Sequence, residues 1–467
     1  MTRALLATLC ALTLAATRVL AAGTPDQPWP PDPKKYAAPG TEVAPGLKVG
    51  DTLDQSNADK AKDLLPPEIL KHYQDGGYKN EIASWPEGII VREKSFNAAT
   101  ASNEGKYDID PATGTIIDKA TGKAPEYAYG IPFPTIKEDD PNAGIKAVWN
   151  MFYNYWNNGS YHFNAILVWT SPSGKEREAL QDVYFQYYLG QSPAYRVPNE
   201  QGFAWQAVTN AVSPADLQGT ATLNYRWIDP TKRDALWTYV PALRRVRAVS
   251  PSNRSDGVLG SDLGQDDGHF FDGKPEDFEW KTIGLKEGLR ISEPYSIKGQ
   301  GGPLEWMADG EGGWRDTWPK APPVAGYLID GWKGVGWAPT DAVLTKRKFW
   351  VVEATPRDRY YLYGKMELWI DAESWIGAWN RKSSWKGELL NVYQVQGYLN
   401  HPAIRDGQTE TEYLWSSQGA WQCAEAVKSN RATLAGLRSE PTSLFDRRVK
   451  HNTDQLFDMQ TLSRWGK

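Results

Sequence analysis

"LNYRWIDPTKRDALWTYV", residues 223–240, carries the pattern from which the fold follows. In its first half Tyr225 and Trp227 point one way and Asn224 and Arg226 the other, which is the period-two alternation of a strand. Asp229-Pro230-Thr231-Lys232 supplies a turn, and the strand signal resumes over 235–240 with Trp237 and Tyr239 sharing a face. This is an antiparallel hairpin, and an isolated hairpin is marginal in water unless further strands help it bury a face.

The sequence supplies those strands on both sides. Residues 161–170 (YHFNAILVWT) and 179–189 (ALQDVYFQYYL) flank a Ser-Pro-Ser-Gly-Lys turn and read as a second hairpin. Residues 348–399 hold four more strands in a meander: KFWVVEAT, YYLYGKMELWID, SWIGAWNRKSS and ELLNVYQVQGYL. In the second of these, Leu362, Met366, Leu368 and Ile370 form an apolar face opposite Tyr361, Tyr363, Lys365, Glu367 and Trp369.

Helical signals are few. Residues 57–73 carry one that is interrupted at Pro66-Pro67. Residues 139–156 (DDPNAGIKAVWNMFYNYW) have an acidic start and apolar i, i+3, i+4 spacing. Residues 296–340 are rich in Gly and Trp without a clear period and read as a long insertion or lid. From 412 onwards the tail reads as helical in pieces, with Pro441-Thr442-Ser443 opening the last helix.

The expected fold is mainly β (α+β): a large curved antiparallel sheet closed by helices on one face, with peripheral loops and a helical C-terminal tail. A Pro/Gly-rich extension with a short helix covers 22–135, the β domain 136–400, and a mostly helical segment 401–467. A curved sheet closed by helices leaves an apolar concavity, which is a natural ligand site.

The N-terminus has the layout of a secretory signal peptide over residues 1–21. Arg3 precedes a short apolar stretch, and Val19-Leu20-Ala21 fits a cleavage site near Ala21/Ala22. The stretch is too short for a membrane span. Cys10 follows Leu9 rather than a small residue and lies inside the apolar stretch, which argues against lipidation. Cleavage would remove Arg3 and Arg18 but no acid, moving the net charge from −5 to −7. That balance speaks against a nucleic-acid or anionic-membrane role. Cys423 is then the one cysteine left, too few for an intramolecular disulfide or a cysteine metal cluster.

Aromatic content stands out, with 22 Trp and 23 Tyr against 12 Phe. Such rings either fill a large β core or line a site where one side of the ring meets a ligand. Strand position and residue type make Tyr225, Trp227, Trp237, Tyr239, Trp350 and Trp369 the candidate ligand-facing residues.

Catalytic signatures are sparse. The five histidines lack HExxH spacing, no GxSxG or nucleotide-binding glycine pattern occurs, and Ser383-Ser384-Trp385-Lys386 matches S-x-x-K without partner motifs. Asp262, Asp266, Asp267 and Asp272 lack calcium-loop spacing. Glu353, Glu367 and Asp371 could supply a glycosidase pair, but charges alternating along strands more often form a solvated face. No catalytic residue, metal or cofactor is expected.

Arg244, Arg245 and Arg247 close the strand after Trp237 and lead into a loop with Asp256, Asp262, Asp266 and Asp267. They either clamp that loop through its own carboxylates or form a cationic rim for an anionic head group or acidic partner.

The same segment carries a resemblance. Trp237, Tyr239, Pro241 and the Arg244-Arg245-Val246-Arg247 run are followed by Ser252-Asn253-Arg254, Gly260-Ser261-Asp262 and Asp266-Asp267. Together they resemble a signature of outer-membrane lipoprotein-sorting-like proteins of the LolA/LolB-like superfamily. Phe271-Asp272-Gly273-Lys274-Pro275 through Trp280, and Trp350-Val351-Val352-Glu353-Ala354 through Trp369-Ile370-Asp371, look like its branch known as domain of unknown function 1329. The resemblance spans roughly residues 45–400 and offers no catalytic residues. It implies an antiparallel half-barrel holding helices in its mouth, a hydrophobic cavity, and residence in a Gram-negative periplasm, with possible association with the outer membrane. Its implied partners are a lipid or other hydrophobic molecule, an inner-membrane exporter of the resistance-nodulation-division type and an outer-membrane protein.

The function expected is that of a non-catalytic periplasmic carrier for a lipid, a lipoprotein acyl chain or another hydrophobic molecule in outer-membrane-directed traffic. Two alternatives stand beside it. A glycan-binding protein or glycoside hydrolase would show an open aromatic groove with two carboxylates, and an envelope scaffold would show a concavity filled by its own side chains.

Overall fold

The hairpin at 223–240 forms as its alternation requires: Ala221–Trp227 pairs antiparallel with Ala235–Val240, Leu223 opposite Trp237. The structure is a computed structural model that describes residues 35–299, 305–317, 325–397, 400–404, 412–415, 419–437, 445–450 and 455–466. The expected signal peptide, Cys10 and Pro441-Thr442-Ser443 lie outside these residues.

From that hairpin the sheet extends both ways. One end is Arg245–Val249, paired to Ala235–Val240. In the other direction follow Phe203–Ser213, Gly174–Tyr187 and Ser160–Ser171. Arg431–Leu437, Gly419–Ala426 and Leu389–Gly397 come next. Gly377–Ser383, Lys365–Asp371, Val343–Pro356 and Phe278–Ser292 complete the ladder. All these pairings are antiparallel, and among the described residues the two terminal strands do not pair with each other, so the curved sheet stays open as a half-barrel. Val343–Pro356 also takes Asn80–Ala83 as a short parallel partner.

The tail departs from expectation. Residues 400–447 contribute strands Asn400–Ile404, Glu412–Trp415, Gly419–Ala426, Arg431–Leu437 and Phe445–Arg447, and the described helix is only Met459–Trp465. Alanines at 420, 424, 426, 432 and 435 give this stretch a helical look. Pairing decides otherwise, since Cys423 and Leu434 lie opposite each other in one face of a sheet buried on both sides. Part of the expected 296–340 insertion is also built into the sheet. Glu305–Ala308 and Trp314–Thr317 form a hairpin, with Trp306 beside Ala403 and Trp314 beside Arg447. Leu362 precedes the strand Lys365–Asp371 and is exposed, while Met366, Leu368 and Ile370 are buried as expected.

Helices cover both faces, not one, because a central sheet this long has two apolar faces to bury. The helix Ala143–Trp156 lies on the concave face against Phe278–Ser292 and Val343–Pro356. All its residues are buried except Lys146, which is held by Asp140 at 2.6 Å. Gly144 permits the close approach: a Cβ there would lie 2.8 Å from a Val352 methyl, and its N–H donates to Thr282 Oγ1 at 2.9 Å.

The convex face is covered twice. The helix Pro67–Gln74 packs Ile69, Leu70 and Tyr73 into a core with Leu289, Trp379, Trp421 and Cys423. Glu68 receives the Arg381 guanidinium at 2.5 Å, and His72 meets Glu425 at 2.7 Å, fixing the helix across the strands. The C-terminal helix Met459–Trp465 seals the other end through Leu462 and Trp465, against Leu223, Trp237 and Tyr239.

Candidate functional site

The concave face has two halves of different character. Under the strands from Phe278 to Asp371, the central helix fills it with Trp149, Phe152 and Trp156; Phe152 stacks on Trp156, meets Trp149 edge-on and packs tilted against Phe271. Under the strands from Ser160 to Trp227 it is hollow. A partly open cavity of about 170 Å³ lies there.

Its wall is a product of alternation. Phe163, Ala165 and Leu167 come from one strand, Gln181, Val183 and Phe185 from the next, Trp205, Ala207 and Thr209 from the third, and Asn224 from the fourth. Tyr393, Gln422, Ala435 and Gly436 complete it. Register aligns them: Phe163 faces Val183, Phe185 faces Ala207, and Ala207 faces Asn224. The space exists because Ala165, Ala207 and Ala435 stand where larger side chains would meet the roof.

That roof is the loop following the arginine strand. Arg254, Val258, Leu263, Gly264, Gln265, Asp267, Gly268, His269 and Asp272 line the cavity from above. The loop folds through short 3₁₀ turns at Pro251–Ser255, Val258–Gly260 and Gln265–Asp267, which a run of Ser, Asn, Gly and Asp favours. It is tied down at many points. Tyr155 Oη donates to the His269 carbonyl at 3.0 Å, Tyr361 Oη to Asp266 at 2.9 Å and Asn391 to the Asp262 carbonyl at 3.0 Å.

Buried ion pairs complete the fastening. Arg254 reaches Asp266 at 2.5 Å and Asp234 at 3.7 Å. Arg226 grips Asp234 at 2.6 Å and lies 3.5 Å from Asp272. Lys382 pairs with Asp267, whose other oxygen accepts the Gly264 N–H at 2.7 Å. Burial raises the Asp267 carboxyl and lowers the Lys382 ammonium, each against their mutual attraction.

Burial also pushes Asp272 up to about 6, despite Arg226 and Arg254 and with help from Asp266 and Asp234. The His269 imidazole is pushed down to about 4 by burial, so it is neutral at pH 7, where its Nε2 bonds the Tyr161 hydroxyl.

The candidate aromatic residues lie elsewhere. Tyr225, Trp237 and Tyr239 face the convex side, where Tyr225 Oη donates to the Phe457 carbonyl and Tyr239 Oη to that of Gly466 at 3.4 Å. Trp227 follows a register shift after Arg226 and borders a separate void of about 30 Å³ beside Trp149 and Trp156. Trp350 packs in the core around the central helix. Trp369 lies on the convex face, 5.5 Å from the Trp379 ring. The hairpin thus lends the cavity its Asn224 side, opposite the face carrying Tyr225.

The arginine run divides similarly. Arg244, Arg245 and Arg247 are exposed and make no ion pair among the described residues. Asp266 and Asp267 pair instead with Arg254 and Lys382, and Asp262 lies 3.8 Å from Arg431 while accepting from Thr433 Oγ1 at 3.0 Å. The loop is clamped by Arg254 and not, as expected, by Arg244, Arg245 or Arg247. Glu353, Glu367 and Asp371 each meet a cation, namely Lys365 at 3.4 Å, Arg381 at 2.9 Å and Arg347 at 2.8 Å. No group of His, Cys, Asp and Glu arranged to hold a metal occurs among the described residues.

Residues 52–319 match the family model described as protein of unknown function (DUF1329). The chain belongs to that family. Similar solved structures include an outer membrane lipoprotein-sorting protein domain from Vibrio parahaemolyticus. It is 14% identical, with a TM-score of 0.42, covering 68% of this chain and 97% of that one. A DUF1329 family protein from Desulfovibrio piger is 14% identical, with a TM-score of 0.43 and 69% and 99% coverage. A LolA superfamily protein from Nitrosomonas europaea is 14% identical, with a TM-score of 0.36 and 66% and 93% coverage. No curated protein matches the chain. The DUF1329 match takes in the whole roof loop and the strands that supply Phe163, Phe185, Trp205 and Asn224.

Proposed function

We propose that this DUF1329 protein is a non-catalytic periplasmic carrier. Its cargo is a lipid, a lipoprotein acyl chain or another hydrophobic molecule moving toward the outer membrane, and an inner-membrane exporter and an outer-membrane protein are its partners. The observation that carries the reading is the cavity: a mostly apolar hollow left open in one half of a concavity whose other half the protein fills itself. A packed scaffold has no use for such a hollow, since empty apolar space destabilises a fold. The aromatic residues that a sugar groove would need are spread over both faces of the sheet.

The cavity's size bounds what it encloses. A dry cavity of about 150 Å³ takes a benzene-sized solute. The present 170 Å³ therefore holds a ring or a short stretch of chain, with the rest of a longer ligand leaving through the open side. Each methylene removed from water contributes about 0.8 kcal/mol, so even four or five of them give roughly 3–4 kcal/mol.

Calorimetric titration of the purified, delipidated protein with decanol tests the proposal. Saturable one-to-one binding that is lost in Ala207→Leu supports it. Absence of binding, or binding unchanged by Ala207→Leu, rejects it.

A further inference from the structure

The cavity is apolar around its wall and acidic at one end. Arg254, Asp267 and Asp272 line that end, and they belong to a buried cluster of three cations and four carboxylates that also holds Arg226, Lys382, Asp234 and Asp266. The cations are all committed. Arg226 is held by Asp234, Arg254 by Asp266, and Lys382 by Asp267. Asp272 is the carboxylate left over. It lines the cavity with its side chain 17% exposed, and its nearest cation, Arg226, donates to its backbone carbonyl at 2.7 Å and stands 3.5 Å from its carboxylate. His269 beside it is neutral at pH 7 and adds no positive charge.

The wall near this end is aromatic. The Arg226 guanidinium lies 4.9 Å from the Trp205 ring centroid, and the Lys382 ammonium lies 5.4 Å from that of Tyr393. Phe163 and Phe185 line the same hollow. The aromatic faces of Phe163 and Phe185 and an excess of carboxylates over cations in a site of low dielectric attract a cation and disfavour an anion.

Resting on the carrier reading, we infer that the ligand of this cavity is a cationic amphiphile, with its ammonium group against Asp272 and its hydrocarbon along the Phe163–Phe185 wall. The exposed Arg244, Arg245 and Arg247 then take no part in holding the head group.

Calorimetry at pH 7.5 with three single-chain probes below their micelle concentrations tests the inference: decyltrimethylammonium, decanoate and decanol. The expected result is at least tenfold tighter binding of decyltrimethylammonium than of decanoate. Asp272→Asn should bring that ratio to within about threefold of one. Equal or tighter binding of decanoate by the unaltered protein overturns the inference while leaving the carrier reading standing. So does a ratio unchanged in Asp272→Asn. Failure of all three probes to bind overturns both. The ratio in the unaltered protein decides the matter even if the variant does not fold.

Discussion

Asp272 illustrates how a single side chain can be held against its own stability. Its carboxyl is raised from 3.8 to about 6 by burial, with Asp266 and Asp234 adding to the rise and Arg226 and Arg254 opposing it. The folded state thus holds a proton more tightly than the unfolded chain. The stabilisation is present below pH 3.8 and is lost as pH rises through about 6, leaving an ionised group that costs on the order of 3 kcal/mol at neutral pH. Asp272→Asn is expected to be about 1–3 kcal/mol more stable than the unaltered protein at pH 7.5 and no more stable at pH 4, by urea denaturation at both. A gain independent of pH would contradict this account. The arginines make the opposite contrast. Arg254→Ala leaves Asp266 and Asp234 short of a buried partner and should lose about 3–5 kcal/mol, whereas Arg245→Ala, on an exposed residue, should stay within about 0.5 kcal/mol. Comparable losses in the two would show that the clamp has been misassigned.

At the scale of elements, alternation told where the strands are but not which of their faces meets what. The hairpin at 223–240, the meander and the helix ending at Trp156 all appear where the pattern puts them. The cavity face was harder to see because both faces of these strands are buried. Tyr225 and Trp237 look like ligand residues but meet the C-terminal helix, whose position no local pattern announces. The true signal was small rather than large: Ala165 and Ala207 lie on the same face as Phe163 and Phe185, and a row of alanines among aromatic residues marks a hollow. The central helix offers a test where local and tertiary preferences disagree. Gly144→Ala should favour the helix by up to about 1 kcal/mol, yet its Cβ would crowd the stiff Val352 side chain at 2.8 Å. Net destabilisation of about 1–3 kcal/mol by thermal melting is expected. A stabilised variant would mean that the helix and sheet are less closely apposed than described.

Across the whole molecule, fold and site came from different kinds of information. The mainly β architecture follows from periodicity and composition. The strands of the tail were masked by helix-favouring alanines until their pairing with Ser160–Ser171 and Leu389–Gly397 settled them. The site depends on a loop rich in Ser, Gly and Asp being carried across the concave face, and its two ends are joined to that face by Arg254 and Asp272. Sequence spacing contains no such distance. The account's central claim is that the hollow half of the concavity exists to hold an apolar ligand. Native mass spectrometry of protein purified without detergent, compared with Ala207→Leu of unchanged melting temperature, tests it most directly. The account predicts a bound apolar mass in the unaltered protein that is lost in the variant. No bound mass in the unaltered protein, or the same mass in both, would contradict it.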